Sequence, residues 1–230
     1  MGDTVRVLVV CEGQTEASFV KACLAPALIQ HRVVVHPTLL KTRPGRQGGG
    51  NVTIERLAIN LANEYPNHDF LTTLVDLYGF SGRQGRGRHE LEAAIRSVAQ
   101  GRRPEIRLDR VFPYVQQYEF EALLFSDVRC FEWVLDGWSD EAKRQLQLIV
   151  DAFPDPEQIN DDPTTAPSKR LEAVFGGTYR KTEHGPLIAE DIGLDVIRSQ
   201  CRGFNDWVSR LEGLAETHDR SENNPGTRNP

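Results

Sequence analysis

The stretch Val5-Arg6-Val7-Leu8-Val9-Val10-Cys11-Glu12-Gly13-Gln14-Thr15-Glu16 decides how we expect the chain to fold. Its β-branched side chains favour an extended backbone and predict a buried strand over residues 5–10. Glu12 and Gly13 follow, and an apolar periodicity then predicts a helix over residues 15–29. A carboxylate at the C-terminal end of a buried parallel strand lies at the edge where open α/β sheets bind ligands.

The alternation of strand and helix continues through the first half of the chain. β-branched or apolar runs predict further strands over residues 32–36, 70–75 and 111–116, and helices over residues 53–65 and 89–100. Strands that alternate with helices in this way are typical of a parallel sheet. The third strand resembles the first because it also ends on a carboxylate, Asp76.

The alternation stops near residue 127, and the pattern beyond it is helical with irregular connections. We therefore expect an α/β core over residues 1–127 and a helical C-terminal portion packed on it over residues 128–214. Residues 215–230 are polar and contain proline, glycine and asparagine, which predicts a disordered tail. The predicted fold class is an α/β sandwich whose central parallel sheet has about four strands flanked by helices, with a helical C-terminal portion.

The composition limits the functions that we consider. The formal net charge of the 230 residues is -6, so the overall charge does not steer the chain toward nucleic acid. No apolar run approaches the ~20 residues of a membrane span, and no secretory signal is visible at the N-terminus. We therefore expect a cytoplasmic protein with no membrane partner. The four cysteines are scattered, and no pair has zinc-finger spacing.

Glu12 and Asp76 are the first candidate site residues. If their strands are neighbours, the spacing of about 4.8 Å between strands brings both carboxylates within reach of one cation. Hard oxygen ligands of this kind suit Mg²⁺ or Mn²⁺ together with substrate phosphate. The alternative is that the two carboxylates only cap or brace loops.

Two loops rich in glycine and arginine follow strands on the expected edge. Arginine forms bidentate contacts with phosphate, and glycine lets a backbone approach closely. Each loop alone is typical of a solvated surface, but both beside an acidic site favour a substrate that carries phosphate. The candidate phosphate or nucleic-acid ligands are Lys41, Arg43, Arg46, Arg83, Arg86 and Arg88.

The segments Val9-Val10-Cys11-Glu12-Gly13-Gln14-Thr15-Glu16 and Leu74-Val75-Asp76-Leu77-Tyr78 resemble the TOPRIM (topoisomerase–primase) superfamily. More narrowly, the chain to about Leu214 resembles a bacterial TOPRIM-like family of unassigned function. Its members are often encoded beside an ATPase and are suspected in phage or plasmid defence. The segments that match this family are Tyr118-Glu-Phe-Glu-Ala-Leu-Leu-Phe-Ser-Asp127, Pro167-Ser-Lys-Arg-Leu and Cys201-Arg-Gly-Phe204.

The resemblance implies a nuclease that uses Mg²⁺ or Mn²⁺ to cleave phosphodiester bonds of DNA or RNA. Glu12 is then a general base or metal ligand, and Asp76 a metal ligand. The chain departs from the superfamily pattern at Tyr78, where the second aspartate is expected. Glu119 or Glu121 could supply the missing oxygen. Because residues two apart on a helix face different ways, we expect Glu119 in the site and Glu121 facing solvent or paired with an arginine.

Two further residues have two interpretations each. Glu16 is either a further acidic ligand of the site or a first-turn carboxylate favoured by the helix dipole. Lys169 either stabilises a transferring phosphate or only pairs with a neighbour such as Glu172. The competing hypotheses for the whole chain are a non-catalytic module that docks an ATPase or nucleic acid, and an enzyme of small-molecule phosphotransfer.

Overall fold

The computed structural model describes residues 3–40, 51–159, 162 and 164–223, without the side chains of 221–223. Four parallel strands form one sheet in the order β2-β1-β3-β4. The sheet is flanked by helices, which confirms the predicted fold class. The strands are β1 Val5–Cys11, β2 Val33–Leu39, β3 Phe70–Asp76 and β4 Val115–Gln116.

The helices of the first half connect the strands, and those of the second half follow β4. In the first half they are α1 Gln14–Phe19, a π-helical turn Val20–Leu24, α2 Ala25–Ile29, α3 Ile54–Glu64 and α4 Arg88–Arg102. In the second half they are α5 Glu121–Leu124, α6 Asp140–Ala152, α7 Pro167–Phe175, α8 Lys181–Ile192, α9 Leu194–Gln200, α10 Arg202–Glu212 and α11 Leu214–Asn223.

Both faces of the sheet are covered, and β1 shows how. Val7 and Val9 pack in one apolar cluster with α1 and the C-terminal helices, whereas Leu8 and Val10 pack in a second cluster with α3 and α4. A strand buried on both faces has no polar face, which explains the continuous apolar run of β1.

The C-terminal helices are held to the sheet by Trp207 of α10. Its indole N–H donates a hydrogen bond to Thr72 Oγ1 at 2.9 Å, and its ring stacks on Tyr114 with centroids 4.6 Å apart. Trp207 is 4% exposed. The helical portion therefore shares a core with the sheet.

Two predicted elements are less regular than the sequence suggested. The helix predicted over 15–29 contains a π-helical turn before Pro26, where Ala25 N–H donates to Val20 O. The fourth strand, predicted over 111–116, is regular only at Val115–Gln116. Pro113 has no N–H for the ladder, and the Thr73 hydroxyl instead bonds both the N–H and the carbonyl of Tyr114.

The predicted disordered tail is wrong for its first residues. Leu214–Asn223 forms α11, with Leu214 4% and Ala215 1% exposed. Asp219 also accepts a hydrogen bond from Arg32 at 2.9 Å. The polar composition did not reveal that two apolar side chains and one ion pair anchor this helix. Residues 224–230 lie outside the described part of the chain.

Candidate active site

Glu12 and Asp76 lie together at the C-terminal edge of the sheet, because β1 and β3 are neighbours. The Asp76 N–H donates a hydrogen bond to Glu12 Oε2 at 3.2 Å. From β1 the chain crosses to β2 on one side, whereas β3 pairs with β4 on the other. This change of direction is a topological switch point, where open α/β sheets form their ligand crevices.

Gly79 lets the backbone after β3 pass against the Glu12 carboxylate. A β-carbon built on Gly79 would lie 2.6 Å from both Glu12 oxygens, closer than carbon and oxygen can approach. Any larger residue would therefore have to move Glu12. The loop that carries Arg83 and Arg86 begins at this point.

Glu16 caps α1 and also lies among the acidic side chains at the edge of the sheet. Its Oε2 accepts a hydrogen bond from the Gly13 N–H at 2.9 Å, which closes the N-terminus of α1. Its Oε1 lies 3.5 Å from Lys181 Nζ. Glu16 is 2% exposed and thus joins the buried acidic groups of the site while capping its own helix.

Lys181, the first residue of α8, contacts three carboxylates at once. Its Nζ lies 3.1 Å from Glu121 Oε2, 3.2 Å from Asp76 Oδ2 and 3.5 Å from Glu16 Oε1. We call Glu12, Glu16, Asp76 and Glu121 the acidic cluster. Three of these four carboxylates thus lie against one ammonium group at the edge of the sheet.

Burial and mutual repulsion change the acidity of the cluster. The pKa of Glu12 is raised to about 7 by burial and then by the negative charge of Asp76. Burial also raises the pKa of Glu121 to about 7, against the attraction of Lys181. For Lys181, burial lowers the pKa, but Asp76 and Glu121 outweigh it and raise the pKa well above its usual value. One lysine therefore neutralises the cluster incompletely.

Glu121, and not Glu119, enters the cluster. Tyr118 adopts a left-handed φ of 62°, the Phe120 N–H donates to Asp76 Oδ1 at 2.8 Å, and α5 begins only at Glu121. Glu119 and Glu121 therefore do not lie on opposite faces of one helix. Glu121 is 1% exposed, and among the described residues its cationic partner is Lys181 and not an arginine. Glu119 instead accepts hydrogen bonds from the Ser168 N–H at 2.8 Å and the Ser168 hydroxyl at 3.0 Å.

Lys169 pairs with its neighbour on α7. Its Nζ lies 2.6 Å from Glu172 Oε2, and both side chains are more than half exposed. The lysine that contacts the acidic cluster is Lys181, on the next helix. The structure therefore shows for Lys169 the neighbour pairing that the sequence offered as its alternative role.

Arg88 was predicted as a phosphate ligand, but the structure gives it internal partners. Its side chain is 14% exposed, lies 3.0 Å from Glu92 and 3.7 Å from Glu157, and donates to Gly203 O at 3.2 Å. It also lies over the Tyr114 ring at 4.4 Å. Arg88 thus ties α4 to the C-terminal helices, and the prediction for it is corrected.

The start of the second basic loop pairs with the backbone that follows the first. Val52, which follows the first loop, forms a parallel bridge with Phe80, and the Ser81 N–H donates to Val52 O at 2.8 Å. Arg83 and Arg86 are partly exposed in the second loop. The first loop, with Lys41, Arg43 and Arg46, lies outside the described residues. The residue that follows the first loop therefore lies against the start of the second loop, next to Gly79.

The donor set of the acidic cluster fits a hard divalent cation, but its geometry is not preformed. Carboxylate oxygens are the ligands that Mg²⁺ and Mn²⁺ prefer. Glu121 Oε1 is buried without a hydrogen-bond partner among the described residues, whereas Oε2 lies 3.1 Å from Lys181 Nζ. Among the described residues, no three acidic, cysteine or histidine side chains form a group that could already hold a metal ion.

Sequence reasoning missed two residues of this site, Lys181 and Tyr179, and it preferred Glu119 to Glu121. The Tyr179 hydroxyl is buried and has no hydrogen-bond partner among the described residues. Burial and then the charge of Glu121 raise the pKa of Tyr179 well above its usual value. No local sequence signal distinguishes Tyr179 or Lys181, since their role depends on how α8 packs against α1 and α5.

Comparison with known proteins gives a family and one solved structure. The family model described as "Domain of unknown function (DUF4276)" matches residues 11–212. The C-terminal region of the Xanthomonas campestris pv. campestris OLD protein matches with a TM-score of 0.42 and 19% identity, over 93% of this chain and 97% of that chain. No curated protein matches the chain. None of the described helices combines the length and apolar character needed to cross a membrane.

Proposed function

The chain belongs to the DUF4276 family, and we propose that it is a divalent-cation-dependent nuclease that hydrolyses phosphodiester bonds of DNA or RNA. One observation carries the proposal. Glu12 and Asp76 are hydrogen-bonded neighbours at the topological switch point, and the loop that holds Arg83 and Arg86 starts against Glu12. A buried acidic cluster beside a basic loop suits a cation and a polyanion in one crevice.

The roles of the residues follow from their positions. Asp76, Glu16 and Glu121 would hold Mg²⁺ or Mn²⁺, which would polarise the phosphate and lower the pKa of water. Glu12, beside Asp76, would be either a further ligand of the cation or the general base that takes a proton from the attacking water. Arg83 and Arg86, with Lys41, Arg43 and Arg46 of the first loop, bind the phosphate backbone.

Glu119 and Lys169 remain secondary candidates. Glu119 holds the start of α7 through Ser168, so it would position that helix and reach the cation only after leaving the serine. Lys169 follows Ser168 at the same helix start, and it would reach a bound phosphate only by leaving Glu172. Neither residue is needed for the core of the proposal.

The experiment is a cleavage assay on supercoiled plasmid DNA and on labelled RNA, with Mg²⁺ or Mn²⁺. We expect cleavage by the unchanged protein and its loss in Glu12→Gln and Asp76→Asn. Glu105→Gln changes an exposed glutamate and serves as the matched control. Cleavage that survives both site substitutions with unchanged rate would exclude the acidic cluster as its source.

A second candidate function is a non-catalytic module that binds nucleic acid or docks an ATPase. The ion pairs of Lys181 favour it, because they partly neutralise the acidic cluster without a metal. Binding of nucleic acid without turnover, unaffected by Glu12→Gln, would support the module. Repeating the assay with the product of a neighbouring ATPase gene tests the proposed partner and, through it, a role in phage or plasmid defence.

A further inference from the structure

We propose that Lys181 is the resident counter-ion of the acidic cluster and that a divalent cation enters the site by displacing its ammonium group. This inference rests on the proposed function, since it concerns how the same site takes up its metal. Lys181 Nζ stands 3.1, 3.2 and 3.5 Å from three different carboxylates. Contact of one cationic centre with three carboxylates is the arrangement that a metal ion would otherwise adopt.

The exposure of the lysine and of its three carboxylate partners shows which side chain can leave the site. The side chains of Glu121, Glu16 and Asp76 are 1%, 3% and 8% exposed, whereas that of Lys181 is 38% exposed. The three carboxylates are therefore buried, whereas the lysine is partly open to solvent. A lysine has a flexible four-carbon stem, so the ammonium group can move into solvent without movement of α8.

The charge of the cluster favours the exchange. Four carboxylates stand against one positive charge, and the fourth, Glu12, accepts a hydrogen bond from the Asp76 N–H but makes no ion pair with Lys181. An ion of charge +2 neutralises the acidic cluster better than an ammonium of charge +1. The displaced ammonium regains full hydration, which reduces the cost of its removal.

Two buried polar groups lie unused beside the lysine. The Tyr179 hydroxyl and Glu121 Oε1 make no hydrogen bond within the described part of the chain. The hydroxyl packs near Gly185 of α8, where a β-carbon would lie 3.4 Å from it. Such groups are usually satisfied in native proteins. A hydrated cation bound at Glu121 would bring water molecules that both groups can bond.

The test measures Mn²⁺ binding by isothermal titration calorimetry at pH 7.5, with no substrate present. We expect Lys181→Met to bind Mn²⁺ at least about tenfold more tightly than the unchanged protein, since no ammonium competes. Lys143→Met removes an exposed lysine of α6 and should leave the affinity unchanged. Equal or weaker binding by Lys181→Met, while the unchanged protein binds Mn²⁺, would overturn the exchange but leave the nuclease proposal standing.

A second measurement avoids any loss of folding in the variant. In protein labelled with ¹⁵N-lysine, the Lys181 ammonium should give a protected NMR signal that disappears as Mg²⁺ saturates the site. A signal that persists while calorimetry shows Mg²⁺ bound would contradict the displacement. If neither the unchanged protein nor Lys181→Met binds Mg²⁺ or Mn²⁺, the exchange and the metal-dependent function both fail.

Discussion

Gly79 lies so close to Glu12 that a β-carbon on it would stand 2.6 Å from both carboxylate oxygens. Gly79→Ala must therefore displace Glu12 or the loop backbone. We expect the substitution to lower the unfolding free energy by about 1–3 kcal/mol and to weaken Mn²⁺ binding about tenfold or more. Urea unfolding and calorimetry measure the two effects.

The matched control for this substitution is Gly101→Ala in α4. A β-carbon there meets nothing within 4 Å, and alanine favours a helix over glycine by about 0.5–1 kcal/mol. We expect Gly101→Ala to be neutral or stabilising, with unchanged Mn²⁺ affinity. If Gly79→Ala also retained full Mn²⁺ affinity, the Glu12 carboxylate would not be part of the cation site.

The raised pKa values of Glu12 and Glu121 predict how stability changes with pH. Each has a pKa of about 7 in the folded protein against 4.5 ordinarily. Between these values the folded state holds more protons than the unfolded state, so the unfolding free energy of the metal-free protein falls as the pH rises from 4.5 to 7. Urea unfolding at pH 5 and pH 8 should show this decrease.

Glu12→Gln separates the contribution of one carboxyl group. Glutamine keeps the size of the side chain and an acceptor oxygen but cannot ionise. We expect the variant to match the unchanged protein at pH 5 and to exceed its unfolding free energy by about 1–3 kcal/mol at pH 8. Glu105→Gln, at an exposed position, should show no such gain. If the unfolding free energy of Glu12→Gln depended on pH as that of the unchanged protein does, the pKa of Glu12 would not be raised toward neutrality.

Substitution of Arg88 should lower the unfolding free energy much more than substitution of Arg83. Arg88→Ala leaves Glu157, whose side chain is 6% exposed, without the guanidinium that lies 3.7 Å away. We expect a loss of about 3 kcal/mol in unfolding free energy, because an uncompensated buried charge is costly. Arg83→Ala, in the partly exposed loop, should change it by less than about 0.5 kcal/mol. Equal losses in the two variants would contradict the structural role of Arg88.

The basic loop should contribute to nucleic-acid affinity through phosphate contacts. We expect Arg83→Ala and Arg86→Ala each to weaken DNA or RNA binding at low salt and to reduce the slope of log affinity against log salt by about 1. Fluorescence anisotropy at several salt concentrations measures this slope. Arg144→Ala changes an exposed arginine of α6 and should leave it unaltered. An unchanged slope in both loop variants would place the nucleic acid elsewhere.

Local patterns were sufficient to predict the sheet and the meeting of Glu12 with Asp76. The apolar run of β1 and the strand that ends at Asp76 can each be recognised from a few consecutive residues. The parallel arrangement follows from the alternation of strands and helices. The rest of the site depends on contacts that are distant in sequence. Lys181 lies 105 residues from Asp76, and no pattern near it indicates that it faces the sheet edge.

The choice between Glu119 and Glu121 failed for a conformational reason. It assumed a regular helix from the end of the fourth strand, whereas Tyr118 takes a left-handed conformation that few non-glycine residues adopt. The prediction of a disordered tail relied on composition, and it failed because Leu214 and Ala215 are buried in an otherwise polar segment. Both outcomes are set by tertiary packing, which a single sequence does not display.

The most direct test of the account is a crystal structure of the protein with Mn²⁺, with the metal located by its anomalous scattering. We expect a peak between Glu12 and Asp76 that also contacts Glu16 or Glu121, with the Lys181 ammonium moved toward solvent. A crystal saturated with Mn²⁺ that shows no peak at this edge of the sheet, with Lys181 still among its three carboxylates, would contradict the account.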